Sequence, residues 1–198
     1  MVDSEARWKD AERPFFFEIV PGWREQDFEK TVGLGVVDLY RMLARDHALK
    51  MPLDAFLRHC DRIAEDVYGR RVRLADGLKP LLRSLARLGK PVALASSSPR
   101  HWIRLVLDRF DLRPHFAAVV SADDVGGEGK PSPAIYRRAT GLLRATPARC
   151  VAIEDSEVGI LSAKRAGVYC VGLRTGANDD QDFSLTDAQV DSFRRLRP

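Results

Sequence analysis

Three short polar segments of the sequence carry side chains that suit phosphoryl chemistry. Residues 96–98 are serines, Lys130 stands between a glycine and a proline, and Glu154 and Asp155 are adjacent. A phosphoryl group is stabilised by hydrogen-bond donors, by a positive side chain and by a metal ion with its ligands. Each segment alone has a structural interpretation, because serines cap helices and acidic pairs stabilise helix N-termini. The three in this order are a more specific signal for phosphate binding.

The local context of each segment supports that chemistry. The serines and the acidic pair each follow an apolar run and precede a helical pattern. Hydroxyls and free N–H groups at a helix N-terminus form an anion site. Adjacent carboxylates favour a nearby cation, and oxygen-rich sites of this kind favour Mg²⁺. The neighbours of Lys130 restrict its backbone, so that its ammonium can be directed at a phosphate or a carboxylate.

The elements that must position these side chains form an alternating pattern from Asp76 onward. Predicted helices cover residues 77–88, 99–110, 133–143 and 156–166, and predicted strands cover residues 91–95, 117–120, 150–153 and 168–172. Wholly apolar strands joined by helices form parallel sheets that are buried on both faces. We therefore predict a Rossmann-like, doubly wound α/β core, whose ligands bind at the carboxyl ends of the strands.

The segment before Asp76 has a different pattern. Residues 13–74 show helical spacing of apolar residues, with Pro52 as a break near the middle and no convincing strand. Two helices packed back to back are the expected structure. We predict that residues 13–74 form a small all-helical cap, and that residues 1–12 and 75–198 form the α/β core.

The composition narrows the class of protein. The 198 residues are 45% hydrophobic and 30% charged, which is enough apolar material for a buried core. No apolar run is long enough to cross a membrane and no signal peptide is recognisable, so we expect a soluble, cytoplasmic protein without a membrane partner. The net charge of +4 comes with interspersed acidic residues, which argues against a nucleic-acid partner. Three cysteines without paired spacing argue against disulfides and zinc.

The order of these segments, each after an apolar strand, resembles the haloacid dehalogenase superfamily. Within it, the chain is similar to the β-phosphoglucomutase-like branch with a helical cap. The resemblance implies that Ser96 binds the transferring phosphoryl oxygens through its hydroxyl and that Ser97 contributes its backbone N–H. It implies that Lys130 offsets negative charge as a catalytic residue. It further implies that Asp155 ligates Mg²⁺, with Glu154 assisting directly or through water.

The start of the chain carries further expectations. Ser4 matches a Ser/Thr position near the reaction centre, so the resemblance implies a catalytic role for it. The family's reaction needs an aspartate nucleophile, which forms an aspartyl-phosphate, and a second aspartate for acid–base work, and both match positions before Val2. We expect the natural product to start upstream, because the loss of this central strand would leave unpaired backbone groups. Asp3 and Glu5 are poor substitutes, since no strand precedes them.

The cap departs from the mutases of this branch. Mutases hold a second phosphate with basic residues at two positions that are Val32 and Val36 here, and Trp8 stands where the family carries a histidine. These changes favour a phosphatase with a less charged or more apolar substrate. Arg24 or Arg41 could still supply positive charge from the cap.

The sequence therefore predicts a Mg²⁺-dependent phosphatase that acts on a small phosphorylated metabolite. The alternatives are a non-catalytic, degenerate domain that binds a phosphorylated ligand or a protein, and a sugar phosphomutase. A haloacid dehalogenase proper is a weaker hypothesis, since that chemistry needs no metal. A nicotinamide-binding domain is weaker still, because no G-x-G-x-x-G follows any strand.

Overall fold

A computed structural model describes residues 1–31 and 33–196 of the chain. The helices are α1 (Ser4–Ile19), α2 (Val36–Asp46), α3 (Leu53–Asp66), α4 (Leu78–Arg87), α5 (Arg100–Arg109), α6 (Ala134–Leu142) and α7 (Glu157–Arg165). The strands are β1 (Ala93–Ala95), β2 (Ala118–Val120), β3 (Val151–Glu154), β4 (Tyr169–Leu173) and β5 (Ala188–Val190). Strands and helices alternate after residue 90, as the apolar pattern predicts.

The first three helices enclose an aromatic core of their own. Phe16, Leu43 and Phe56 are fully buried there, one from each helix. Trp102 and Val106 of α5 belong to the same apolar cluster, so the helical part packs directly on the α/β part. Burying such large side chains contributes about 1.5–3 kcal/mol each. The helical part is therefore held by packing against itself and against α5.

The α/β part contains parallel strands, which confirms the predicted fold class. β1 pairs with β2, and β3 pairs with β4, which in turn pairs with β5. All three pairings are parallel, so the carboxyl ends of the paired strands point the same way. The polar segments that follow β1 and β2 therefore start at the same edge of their sheet.

The strands form two sheets, not the single sheet of the sequence prediction. In the part of the chain that the structure describes, β1 and β3 are not paired with each other. Leu94 of β1 and Ile153 of β3 nevertheless pack in the same apolar cluster. The two sheets thus border a common core.

The element boundaries agree with the predicted ones to within two residues for the four predicted strands and the helices between them. Two elements escaped prediction, namely β5 and the first part of α1. Helix α1 runs through residues 12 and 13 without a break, where the cap was predicted to begin. The division into a cap at 13–74 and a core at 1–12 and 75–198 stays a prediction.

The three cysteines, Cys60, Cys150 and Cys170, are free thiols. Burial raises the pKa of Cys60 and raises that of Cys170 to about 12, as expected for inert packing residues. Within residues 1–31 and 33–196, no helix combines the length and apolarity that a membrane crossing requires.

Asp27 is a buried carboxylate in the short 3₁₀ helix Glu25–Thr31. Its ionisation allows a prediction of how acid affects the stability of the helical part. Its pKa is lowered to about 2, chiefly by the hydrogen bond from Lys30, with further hydrogen bonds from Arg24. A carboxyl whose folded pKa is depressed stabilises the fold above its usual pKa near 3.8, and this stabilisation is lost as the pH falls towards 2. We expect Asp27→Asn to lower the melting temperature at pH 7 and at pH 5.

The same variant should differ less from the wild type at pH 3, because acid already weakens the wild-type interaction. Thermal denaturation at pH 7, 5 and 3 measures this, with the exposed Asp180→Asn as the control. A deficit of Asp27→Asn that is as large at pH 3 as at pH 7 would contradict the assignment.

Candidate active site

Lys130 and Glu154 form an ion pair at the ends of two strands. The Lys130 ammonium donates to Glu154 Oε1 at 2.5 Å, and the hydroxyl of Tyr136 donates to the same oxygen. Only 12% of the Lys130 side chain and 5% of the Glu154 side chain are exposed. Because a buried charge is costly unless paired, this contact fixes the loop after β2 against β3.

Tyr136 keeps its proton in this arrangement. Burial and then the Glu154 charge raise the pKa of Tyr136 well above 10. Its hydroxyl is therefore a neutral donor, and its ring lies 5.6 Å from the Lys130 ammonium. An ammonium has three donors, so Lys130 can hold Glu154 and still donate to a phosphoryl oxygen.

The serine segment is attached to the same lysine loop. The backbone N–H of Lys130 donates to Ser97 Oγ at 3.0 Å, and the N–H of Ser98 donates to Ser96 Oγ at 3.2 Å. These bonds place the serine segment beside Lys130, which in turn contacts Glu154. The hydroxyl of Ser97 accepts one bond and remains able to donate one, a role that the sequence analysis had not given it.

Asp155 follows Glu154 at the end of β3 and is exposed. Its backbone is fixed by Asn178, whose side-chain N–H groups donate to Asp155 O at 2.8 Å and to Leu173 O at 2.9 Å. Asn178 is buried, and its Oδ1 accepts from the N–H of Thr175 at 2.9 Å. The loop after β4 therefore orients the residue that was predicted as a metal ligand.

The donor set fits Mg²⁺ in part. Mg²⁺ is commonly held by one or two carboxylates and several waters. In residues 1–31 and 33–196, the Asp155 carboxylate takes part in no hydrogen bond or ion pair that would compete for it, whereas Glu154 Oε1 is occupied by Lys130 and Tyr136. The same part of the chain contains no cluster of three or more acidic, cysteine or histidine side chains. Asp155 thus fits a metal better than Glu154 does.

Gly159 leaves the space that the Glu154 carboxylate needs. A Cβ on Gly159 would overlap Glu154 Oε2 and lie 2.9 Å from Ser156 Oγ. Ser156 caps α7 by accepting from the N–H of Gly159 at 3.3 Å. The absence of a side chain at this position is therefore part of how Glu154 is placed.

Ser4 is fixed by contacts at the start of the chain. It begins α1, and its N–H donates to Val2 O at 2.9 Å, beside the bridge between Val2 and Leu74. In the described part of the chain, no side-chain hydrogen bond links Ser4 to Ser96 or Lys130. Its predicted catalytic role stays a prediction.

The segment that precedes α2 packs closely against α7 and the serine loop. A Cβ on Gly33 would lie 2.5 Å from Val158 Cγ2, and a Cβ on Gly35 would lie 3.2 Å from the carbonyl oxygen of Ser97. A cavity of about 410 Å³ remains, lined by Leu34, Asp38, Arg41 and residues 126–132. A second concavity involves residues 191–195 near the C-terminus and contains none of the predicted site residues.

The helical segment contains the valines that were compared with the mutases and the arginines that were considered as a source of charge. Val36 is buried in the helical core, and Val32 lies outside the described residues. Arg24 pairs with Asp27, whereas Arg41 lines the cavity. Of the two arginines considered, Arg41 is thus the one positioned to supply charge.

Sequence reasoning missed Tyr136, Asn178 and Asp38. Tyr136 and Asn178 act through contacts between elements distant in sequence, and no local pattern indicated them. Asp38 resembles an ordinary acidic residue in the first turn of a helix. The position of Arg41 one turn later was the one available signal that the two side chains share a face.

Comparison with known proteins gives consistent results. The family model described as haloacid dehalogenase-like hydrolase matches residues 3–167. Hexitol phosphatase B of Escherichia coli (strain K12) is 31% identical over 208 residues, which cover 99% of this chain and 89% of that protein.

Two solved structures share the architecture. CbbY from Rhodobacter sphaeroides, in complex with phosphate, has a TM-score of 0.84 at 26% identity, over 99% of this chain and 91% of that chain. The β-phosphoglucomutase from Clostridium difficile has a TM-score of 0.80 at 17% identity, over 100% and 88%. The latter is a likeness of fold alone.

The space at Gly159 gives a direct test of the Glu154 environment. Gly159→Ala places a methyl group on the Glu154 carboxylate, and overpacking of this kind costs about 1–3 kcal/mol. We expect a lower melting temperature, measured by thermal denaturation. Gly141→Ala in α6 is the matched control, since nothing lies within 4 Å of its added Cβ and alanine favours a helix. A Gly159→Ala variant as stable as Gly141→Ala would contradict this packing.

Proposed function

Because the chain belongs to the haloacid dehalogenase-like hydrolase family, we propose that it is a phosphatase that hydrolyses monoesters of small metabolites. The observation that carries the proposal is the Lys130–Glu154 pair, hydrogen-bonded into the serine loop at the strand ends. The name of the hexitol phosphatase relative supports it. A small phosphorylated metabolite as substrate and a cytoplasmic location are parts of the same proposal.

The side chains of this chain would divide the work of binding the phosphoryl group. The hydroxyls of Ser96 and Ser97 donate to phosphoryl oxygens, and the remaining N–H donors of Lys130 offset their charge. Glu154 holds the Lys130 ammonium in place, with help from Tyr136. Donors that are fixed before the reaction stabilise developing charge without reorganising.

Mg²⁺ is the proposed cofactor, with Asp155 as its principal ligand and Glu154 Oε2 as a second oxygen. When bound, Mg²⁺ neutralises charge that develops on the transferring group. The hydrogen bond from Asn178 keeps the Asp155 backbone in position for this role. The exposure of Asp155 leaves room for the waters that Mg²⁺ retains.

The proposed nucleophile is an aspartate, because the family's reaction proceeds through an aspartyl-phosphate. Among residues 1–31 and 33–196, no aspartate is hydrogen-bonded to Ser96 or Lys130. Asp3 accepts a hydrogen bond from the N–H of Arg73 and is thereby engaged elsewhere. Attack of the carboxylate on phosphorus would release the alcohol, and water would then hydrolyse the aspartyl-phosphate.

Turnover of p-nitrophenyl phosphate with MgCl₂ tests the proposal. The 198-residue chain and a form extended by any in-frame codons before Met1 are both assayed, and we expect hydrolysis by at least one form. In that form, Lys130→Ala and Asp155→Asn should each lower kcat/KM by about 100-fold or more. Removal of Mg²⁺ with a chelator should abolish the activity, and added MgCl₂ should restore it.

Lys90→Ala and Asp180→Asn are the controls, since both side chains are exposed and, within the described residues, neither forms a hydrogen bond or ion pair with Ser96, Lys130, Glu154 or Asp155. Asp155→Asn alters an exposed residue, so it remains informative if Lys130→Ala destabilises the fold. Phosphate binding without hydrolysis in either form would favour the non-catalytic alternative. Transfer of phosphate between sugar hydroxyls without its release would favour the mutase.

A further inference from the structure

The cavity between cap and core adjoins the proposed phosphate site. Residues 126–132, which include Lys130, form its core side, and Leu34, Asp38 and Arg41 form its cap side. Its volume of about 410 Å³ lies near the lower end of the roughly 300–1,000 Å³ found for small-molecule sites. With its phosphate at Lys130, a metabolite would extend towards Asp38 and Arg41.

Asp38 presents a carboxylate oxygen towards the phosphate-binding loops. Its Oδ1 accepts from Arg41 Nη1 at 2.9 Å. Its Oδ2 lies 3.3 Å from the position of a Cβ on Gly129, and Ser97 Oγ lies 3.4 Å from the same point. In the described ranges, Asp38 Oδ2 accepts no hydrogen bond, and the Asp38 side chain is 33% exposed. This oxygen is therefore able to accept a hydrogen bond from a ligand.

The chemistry of this pair selects among phosphate esters. A hydroxyl can donate to the Asp38 carboxylate and accept from the Arg41 guanidinium, so both groups suit a polyol. A second phosphate at the same place would meet the negative charge of Asp38, which disfavours it. An apolar chain would leave the carboxylate without its hydrogen bond.

We propose that Asp38, oriented by Arg41, makes the site selective for polyhydroxylated monophosphates, meaning alditol or sugar phosphates with a single phosphate. Asp38 accepts hydrogen bonds from substrate hydroxyls remote from the phosphate. This inference rests on the proposed function, which places the phosphate at Lys130. It differs from the expectation of a less charged or more apolar substrate that Val32 and Val36 suggested, which stays a prediction.

Isothermal titration calorimetry in MgCl₂ tests the selectivity, with a hexitol monophosphate and inorganic phosphate as the two ligands. In Asp38→Ala, the Kd of the hexitol monophosphate should rise about 10- to 100-fold, as expected for loss of hydrogen bonds to a charged group. The Kd of inorganic phosphate should rise far less, because it does not reach the cap. Asp38→Asn should bind a hexitol bisphosphate better, relative to the monophosphate, than the wild type does.

Asp54→Ala is the matched control. Asp54 also lies in the first turn of a cap helix and pairs with an arginine, Arg58, at 2.7 Å, but it does not line the cavity. It should bind both ligands as the wild type does. A similar loss of both ligands in Asp38→Ala, or no loss of either, would overturn the inference.

The outcome separates this inference from the proposed function. Selective, Asp38-dependent binding without turnover in the phosphatase assay would support the selectivity and overturn the phosphatase. Turnover together with an equal rise in the Kd of both ligands in Asp38→Ala would support the phosphatase and overturn the selectivity. Wild-type protein that binds hexitol monophosphate no tighter than inorganic phosphate would also overturn the selectivity.

Discussion

The ion pair between Lys130 and Glu154 is the interaction on which the site depends. Two opposite charges lie almost buried where strands β2 and β3 end, and neither is tolerable there without the other. Removing one partner of such a pair typically costs about 3–5 kcal/mol. The Lys130 N–H bond to Ser97 extends the link to the end of β1. Lys130 thus links the loop after β2 to the serine segment after β1 and to the end of β3.

This arrangement constrains the surrounding residues. Gly159 must lack a side chain to admit the Glu154 carboxylate, and Tyr136 must reach it with a neutral hydroxyl. Glycines also allow close contact between the helical segment and the loops, since a Cβ on Gly33 would lie 2.5 Å from Val158 Cγ2 and a Cβ on Gly129 would lie 3.3 Å from Asp38 Oδ2. The close approach leaves a small cavity whose polar wall faces the phosphate site. The close packing of the segments before α2 and after β2 limits the volume of this cavity, and its charged lining residues include Asp38, Arg41 and Lys130.

Much of the fold could be predicted from the sequence because the apolar patterns are local. Short apolar runs and amphipathic helices after Asp76 identify the alternating core, and the order of polar segments at strand ends identifies Ser96, Lys130 and the acidic pair. The strand β5 was missed because Ala188–Val190 is short and its residues are mostly exposed. The separation into two sheets depends on which strands pair, and residue spacing alone does not determine that.

The detailed roles at the site could not be predicted in the same way. The sequence places Glu154 beside Asp155, but only the fold shows that Glu154 is bound by Lys130 and that Asp155 is exposed. Asn178 and Tyr136 contribute through tertiary contacts, so nothing in their neighbouring residues indicates them. Local pattern thus suggests the candidate groups, whereas their contacts depend on tertiary packing.

A crystal structure of the protein grown with phosphate and MgCl₂ tests the central claim most directly. The account predicts a phosphate hydrogen-bonded to Ser96 and Lys130, with Lys130 still paired to Glu154, and a metal ion on the Asp155 carboxylate. An ordered phosphate bound elsewhere would contradict the account if Ser96, Lys130 and Asp155 kept their positions and bound neither phosphate nor metal.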